Sequence, residues 1–189
     1  MPRYRVPSRF GPPEAVLPGV VPVEAVIGRT DDVAVCVGRI AAYPEGFQLE
    51  LMTHARIDLD LDPFDFGYRR RGRGDGELDP ELLRFGIEFA DGRKATNVEG
   101  LHVAPDDELA LVESAGGGGG GSWHQGYWVP ELPPEGPLAF VAEWPAVGLA
   151  LTRMEIDAAP IREAAGRSQV LWELPEAPPG AWDEDDDDF

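Results

Sequence analysis

Hydrophobic and polar residues alternate with a period of two along much of this chain. The clearest example is "FQLELMTHARIDL", residues 47–59, in which every second side chain is apolar or small and the others are mostly polar. The first set comprises Phe47, Leu49, Leu51, Thr53, Ala55, Ile57 and Leu59. Because successive side chains of a β-strand point to opposite faces, the pattern predicts a long strand with one buried and one solvated face.

Two neighbouring segments extend this β pattern. The stretch "DDVAVCVGRIAAY", residues 31–43, is apolar on both faces, which predicts a central strand buried on both sides. A turn at residues 44–46 separates it from the alternating segment. The stretch "LLRFGIEFADGRKATN", residues 82–97, predicts a hairpin in which Asp91 and Gly92 are the central residues of a type I′ turn.

The rest of the pattern predicts further short strands and one helix. Asp157 can cap this helix, Pro160 suits its first turn, and Gly166 can end it. The further strands are predicted at about residues 108–113, 122–131, 137–144, 148–156 and 169–174. Many short strands with one short helix near the C-terminus predict an all-β fold, an antiparallel β-sandwich. The architecture would be immunoglobulin-like without a disulfide, because Cys36 is the only cysteine.

Composition divides the chain into three parts. Residues 1–20 are rich in proline and arginine and are expected to form a disordered arm. Residues 21–174 carry the strand patterns and are expected to form the β-sandwich domain. Residues 175–189 are rich in proline and then acidic, so they are expected to form a disordered tail.

The charge balance restricts the classes of partner. The formal net charge is −19, with 35 acidic against 16 basic residues, so the field repels nucleic acids and anionic membranes. We therefore expect a basic protein partner, no membrane association and no nucleic-acid partner. The N-terminus lacks the apolar core of a signal peptide, and no stretch reaches transmembrane length. A cytoplasmic location is the resulting expectation.

Two parts of the sequence carry a family resemblance. They are residues 82–97 and the stretch from Gly116 to Trp172, which begins "GGGGGGSWHQGYWVPELP" and contains "FVAEWP" before a short helix. Over roughly residues 30–173 the chain resembles an uncharacterised family of β-rich actinobacterial proteins with no known activity. The resemblance implies a β fold and an actinobacterial source, and it implies no catalytic or binding residue.

The strand after the glycine run is the first candidate site. Trp123, His124, Tyr127 and Trp128 could present aromatic groups to a carbohydrate or another small ligand. The alternative is that both tryptophans are buried, one in each of two packing layers. The glycine run, residues 116–121, does not match a phosphate-binding loop because no helix follows it. It is expected to be a flexible loop between strands.

Two oppositely charged segments are the second candidate. The only basic cluster contains Arg69, Arg70, Arg71 and Arg73, and the tail contains Asp185, Asp186, Asp187 and Asp188. A tethered acidic tail could reach a basic loop at high effective concentration, which gives the hypothesis of an electrostatic interaction between them. The alternative is that both segments are independently solvated.

Catalytic and metal-binding patterns are weak in this sequence. His54, His102 and His124 do not form the short-spaced pairs that are typical of metal sites, and no cofactor motif is present. The aspartates at positions 60, 62 and 65 could form a loose calcium site, but a solvated strand end is favoured. The sequence thus predicts a non-enzymatic, cytoplasmic protein-interaction module. A small-ligand or carbohydrate-binding sandwich is the alternative, and a hydrolase is the third hypothesis.

Overall fold

The computed structural model describes residues 3–59, 63–64, 78–99, 101–105 and 108–178. Its strands are β1 (Val16–Leu17), β2 (Gly19–Val21), β3 (Ala25–Arg29), β4 (Val33–Tyr43), β5 (Gly46–Ala55), β6 (Arg84–Glu88), β7 (Lys94–Thr96), β8 (Val112–Gly119), β9 (Ser122–Val129), β10 (Pro137–Trp144), β11 (Leu149–Asp157) and β12 (Gln169–Val170). The α-helix is α1 (Ala159–Gly166), and short 3-10 helices span Asn97–Glu99 and Pro145–Val147.

Two antiparallel sheets form the body of the protein. The six-stranded sheet has the order β2-β4-β5-β9-β8, and β3 also pairs with β4. The four-stranded sheet has the order β11-β10-β6-β7. A separate two-stranded sheet joins β1 to β12, close to the two ends of the chain. The predicted all-β fold, an antiparallel sandwich with one short helix near the C-terminus, is confirmed.

The main core lies where the two sheets meet. Phe85 of β6 stacks on Tyr127 of β9 at 5.7 Å between ring centroids, and on Phe140 of β10 at 6.3 Å. Leu49 and Leu51 of β5 belong to the same buried cluster. The core therefore draws on the apolar faces of both sheets, as the alternating pattern requires.

Strand β5 agrees with the predicted alternation but ends early. Phe47, Leu49 and Leu51 are buried, whereas the intervening side chains are partly exposed. The strand ends at Ala55 although the alternation continues to residue 59. The backbone N–H of Ala55 donates to the Gly121 carbonyl (2.6 Å), and that of Arg56 donates to the Asp32 carbonyl (2.9 Å). Loop contacts thus replace the strand ladder at this point.

The hairpin of β6 and β7 forms as predicted, with its turn one residue earlier. The Gly92 N–H donates to the Phe89 carbonyl (2.9 Å), so Ala90 and Asp91 are the central residues of the turn. The N–H of Phe89 donates to the carbonyl of Arg93 (2.9 Å) and closes the loop. Three residues therefore connect the strands instead of the predicted two-residue type I′ turn.

The predicted helix is present as α1. The Asp157 carboxylate accepts a hydrogen bond from the Ala159 N–H (3.0 Å), and Pro160 lies in the first turn. Ile161 and Ala164 are fully buried. Gly166 is the last helical residue, as the sequence indicated.

The N-terminal segment differs from the disordered arm expected at residues 1–20. It forms β1 and β2 and covers the outer face of the six-stranded sheet. The indole N–H of Trp128 donates to the Ser8 carbonyl (2.6 Å), and the Ala104 N–H donates to the Arg9 carbonyl (2.8 Å). A buried indole needs an acceptor, and this segment supplies it. Residues 175–178 have no regular secondary structure, and the remainder of the predicted tail lies outside the described residues.

The glycine run also differs from its prediction as a flexible loop. Gly116 to Gly119 belong to β8 and pair with β9, with Gly116 opposite Gln125 and Gly119 opposite Ser122. Gly120 and Gly121 form the connecting turn with φ of 62° and 97°. Positive φ at both central residues is typical of the tight type I′ hairpin turn. The run is therefore an edge strand and its turn.

Candidate functional site

The aromatic residues of β9 lie in two packing layers. Tyr127 and Trp128 are fully buried, and Trp123 is only 7% exposed. Tyr127 belongs to the core between the sheets, whereas Trp128 belongs to a second cluster on the opposite face. Of the four residues predicted to bind a small ligand, only His124 presents its side chain to solvent. This is the alternative arrangement that the sequence left open, with one tryptophan in each layer.

Asn97 is a buried polar residue that the sequence did not single out. Its Oδ1 accepts from the Phe85 N–H (2.7 Å), and its Nδ2 donates to the Leu83 carbonyl (3.0 Å) and the Tyr127 hydroxyl (3.1 Å). Burial strongly raises the pKa of Tyr127, although the Asn97 hydrogen bond acts in the opposite direction. The network joins the two sheets, so its role is structural.

The histidines do not assemble a catalytic group in the described part of the chain. His54 Nδ1 lies 3.3 Å from Ser122 Oγ, and both residues are exposed. No carboxylate hydrogen bond orients the His54 ring within the described residues, so a complete nucleophile–base–acid arrangement is not seen there. The described ranges also contain no group of three His, Cys, Asp or Glu side chains that could hold a metal ion. The aspartates at positions 60, 62 and 65 lie outside them.

The predicted electrostatic pair also lies outside the described residues. This applies to Arg69, Arg70, Arg71 and Arg73 of the basic cluster and to Asp185, Asp186, Asp187 and Asp188 of the tail. Their interaction stays a prediction.

A groove of about 390 Å³ lies between the two terminal segments. Its walls come from the N-terminal segment, the β4–β5 turn and the segment after β12. Its lining residues are Arg5, Val6, Pro13, Glu14, Ala15, Val16, Pro44, Glu45, Val170, Trp172, Glu173, Leu174 and Glu176. Sequence reasoning missed this groove because its walls are far apart in the chain. The predicted strand at residues 169–174 was the only signal for it.

Apolar side chains are exposed at one wall of this groove. Trp172 is 58% exposed, in contrast to the three buried tryptophans at positions 123, 128 and 144, and Val170 beside it in the groove is also exposed. Only two residues, Gln169 and Val170, pair with β1, so the chain leaves the sheet before Trp172 can be covered. A large exposed aromatic next to apolar neighbours is typical of an interaction surface.

The rim of the groove is acidic. Arg5 pairs with Glu45, while Glu14 pairs with Arg3 at 3.4 Å. The two remaining rim carboxylates, Glu173 and Glu176, are exposed and have no ion-pair partner within the described ranges. The groove thus combines an apolar wall with two carboxylates that no described basic residue neutralises.

These features define an antiparallel β-sandwich with an acidic, aromatic groove between its terminal segments. Comparison with known proteins finds no matching family, curated protein or solved structure. The resemblance to actinobacterial β-rich proteins therefore stays a prediction. No helix in the described part of the chain is long and apolar enough to cross a membrane.

Proposed function

We propose that this protein is a non-catalytic interaction module that binds a basic segment of a partner protein in the terminal groove. The observation that carries the proposal is the position of Trp172, an exposed aromatic beside Glu173 and Glu176, whose carboxylates form no ion pair with any described residue. A segment with arginine or lysine next to an apolar side chain is complementary to this combination. The proposed setting is the cytoplasm.

The apolar wall would supply most of the affinity. Tryptophans in partly preformed pockets are frequent energetic centres of protein interfaces, since they bury a large area with little loss of side-chain entropy. An apolar anchor on the partner could cover the exposed surface of Trp172 and Val170. Without such an anchor, the exposed ion pairs alone would contribute less than about 1 kcal/mol each.

The acidic charge would supply selectivity and rapid association. Glu173 and Glu176 lie at the groove, and the chain continues from Pro178 into six consecutive acidic residues at positions 183–188. A concentrated negative potential attracts basic partners and repels acidic ones. The net charge of −19 extends the same preference over the whole molecule.

The other two functions have less support. A carbohydrate site based on stacking needs exposed rings on β9, but Trp123 and Trp128 are buried. A hydrolase needs an orienting acid behind the His54–Ser122 pair, and none is bonded to it in the described part of the chain.

The proposal can be tested with two synthetic decapeptides of equal charge. One alternates arginine with leucine, and the other alternates arginine with serine. We expect calorimetric titration at low salt to give clearly tighter binding of the leucine peptide, because only that peptide covers Trp172. Trp172→Ala should remove this preference for leucine.

Matched variants distinguish the contribution of the groove carboxylates to peptide binding from that of the protein's overall negative charge. The double variant Glu173→Gln/Glu176→Gln should weaken binding of the leucine peptide. The control Glu135→Gln/Glu163→Gln removes the same charge from exposed positions elsewhere and should have a clearly smaller effect. Equal effects of the two double variants, or equal binding of the two peptides, would contradict the proposed groove.

A further inference from the structure

We propose that a second cleft, about 230 Å³ on the outer face of the six-stranded sheet, binds a small zwitterion with a primary ammonium and a carboxylate group, the size of a free amino acid. This site is separate from the terminal groove and does not depend on the function proposed above. None of the residues that line it belongs to the groove.

Four strands supply the polar side chains of this cleft. Arg39 comes from β4, Gln48 and Glu50 from β5, Ser114 from β8, and His124 from β9. Gln48 and Glu50 alternate with buried core residues of β5, so they lie on the face of the sheet that points away from the main core. The other three share this face, since Arg39 is the cross-strand partner of Glu50, Ser114 bonds to Gln48, and the exposed His124 follows the buried Trp123. The sheet therefore holds a guanidinium, a carboxylate, an amide, a hydroxyl and an imidazole around one depression.

Gly126 forms the floor of the cleft. It is buried, and a Cβ at this position would overlap the Ser114 hydroxyl and would lie 3.6 Å from Gln48 Nε2. Any larger residue would thus fill the space between Ser114 and Gln48. Glu50 is the cross-strand partner of Gly126, so its carboxylate group stands directly beside the floor.

The cleft begins where the apolar cover of this face ends. Ala41 and Trp128 belong to the second buried cluster, which the N-terminal segment covers by way of Ser8. Ala41 also lines the cleft and so forms its boundary on that side. The cleft is therefore bounded on one side by a covered apolar layer, and its polar side chains lie on the open side.

The charged side chains of the cleft are arranged for a ligand with both signs of charge. Arg39 and Glu50 are cross-strand partners, yet no ion pair joins them in the described chain. A zwitterion can satisfy both, with its carboxylate at Arg39 and its ammonium at Glu50. Gln48 and Ser114 share only a long hydrogen bond (3.4 Å), which leaves them able to orient the ligand.

Ligands with one charge fit less well. A simple carboxylate would satisfy Arg39 but bring a like charge close to Glu50, and a simple amine would do the reverse. A neutral polyol would leave both charged groups without a charged partner. The cleft is also small compared with sites for drug-sized ligands, which start near about 300 Å³.

The probes for this site are L-alanine and its two fragments, propionate and ethylamine, with glucose as the neutral polyol. We expect L-alanine to shift the amide NMR signals of His124 and Gly126 saturably, with a dissociation constant of about 1 mM. Each fragment and glucose should bind at least about tenfold more weakly, a difference that the loss of one charge-assisted contact can produce. An equal response to a fragment, a stronger response to glucose, or no saturable response to L-alanine would overturn the proposal.

Variants test the assignment of each charge. Arg39→Gln and Glu50→Gln should each weaken L-alanine binding about tenfold or more, the loss of one charge-assisted contact. The matched controls Arg29→Gln and Glu24→Gln change the same charges at exposed positions outside the cleft and should leave binding unchanged. If the control variants weaken binding as much as the cleft variants, the site is not this cleft.

Discussion

Trp123 of β9 lies across Gly118 of β8, its cross-strand partner, in the space that a side chain at position 118 would occupy. A Cβ on Gly118 would come within 2.7 Å of Trp123 Cδ1, which is too close for any real contact. The glycine at this position thus allows a large aromatic side chain to be buried at the edge of the sheet. The glycine run and the aromatic strand that follows it are one packing unit.

The first prediction concerns this contact. A Cβ at this position would also overlap the Ser122 carbonyl oxygen and lie 2.5 Å from Trp123 Cα, so Gly118→Ala must shift the β9 backbone as well as the indole ring. It should lower the free energy of unfolding by about 1–3 kcal/mol, the usual cost of overpacking. Urea unfolding followed by tryptophan fluorescence would measure the change.

Gly117→Ala is the matched control. A Cβ on Gly117 would meet no atom within 4 Å, so this variant should change the stability by less than about 0.5 kcal/mol. If both variants behave alike, the run acts as slack chain and its predicted role as a flexible loop would be restored.

The second prediction concerns the turn between β8 and β9. Gly120 has φ of 62°, a left-handed conformation that costs other L-residues about 1–2 kcal/mol. Gly120→Ala should therefore be destabilising by about that amount, whereas Gly120→Asn should be better tolerated because asparagine adopts this conformation more readily. Thermal unfolding of the two variants side by side would compare them. Equal loss from alanine and asparagine would contradict a left-handed turn residue.

The sequence predicts strands and their buried residues where apolar and polar side chains alternate, but not where the strand consists of glycines. The burial of Phe47, Leu49 and Leu51 could be predicted because each apolar residue follows the last by two. A strand is recognised in a sequence by the alternation of apolar and polar side chains, and glycines have neither. The sequence therefore contains no sign that residues 116–119 pair with β9. The structure shows this pairing in the cross-strand register, and the fit of Trp123 against Gly118 and the positive φ in the turn agree with it.

The candidate sites depend on long-range pairing, which a single sequence does not show. The groove brings Glu14 of the N-terminal segment close to Trp172 near the other end of the chain. The cleft brings Arg39 and His124 onto one face through three neighbouring strands. His124 was the one candidate residue that the sequence and the proposed cleft have in common.

The third prediction concerns Asn97, which joins the two sheets. Replacing Asn97 by Ala leaves the Phe85 N–H, the Leu83 carbonyl and the Tyr127 hydroxyl without their partner in the core. We expect a loss of more than about 2 kcal/mol in the free energy of unfolding, because buried polar groups without partners are costly. Chemical denaturation would measure it.

Tyr127→Phe serves as the comparison for Asn97. It removes one hydroxyl but leaves the Asn97 amide bonded to the Leu83 carbonyl and the Phe85 N–H. Its cost should be about 1 kcal/mol, the value of a single hydrogen bond. A larger loss for the tyrosine variant than for Asn97→Ala would show that the network is not centred on Asn97.

The fourth prediction concerns pH. Burial raises the pKa of the half-buried Glu113 carboxyl, and the nearby His102 opposes this only in part. Between its ordinary pKa of about 4.3 and the raised value, the folded state keeps a proton that the unfolded state has lost, so stability falls as pH rises through this window. Glu113→Gln removes the ionisation, so its stability relative to the natural chain should rise as pH rises through the window and stay constant above it.

Unfolding curves measured from pH 3 to pH 8 would test this difference. Below the window both proteins carry an uncharged side chain at position 113, so their stabilities should differ by a constant amount. Glu135→Gln, an exposed change of the same charge, controls for the reduced net charge. A similar pH-dependent gain in stability for the control would show that the effect comes from the reduced net charge of the protein and not from the ionisation of Glu113.

The last prediction concerns the acidic tail and the proposed basic partner. Deleting the chain from Trp182 onward removes six acidic side chains that follow the terminal groove. Binding of the arginine–leucine peptide should weaken at low salt and change little at high salt, because exposed charges are screened beyond about 10 Å at 0.1 M salt. Calorimetry at the two salt concentrations would show the difference.

The same truncated protein tests whether the tail interacts with the arginine cluster at positions 69–73. If it does, deletion should expose these arginines and raise retention on an anionic resin at low salt only. The increase should exceed that caused by neutralising six acidic residues elsewhere on the surface, since a tethered tail acts at high effective concentration. Equal retention of the two proteins would mean that the tail contributes only its share of the net charge, and the two segments would then be independently solvated.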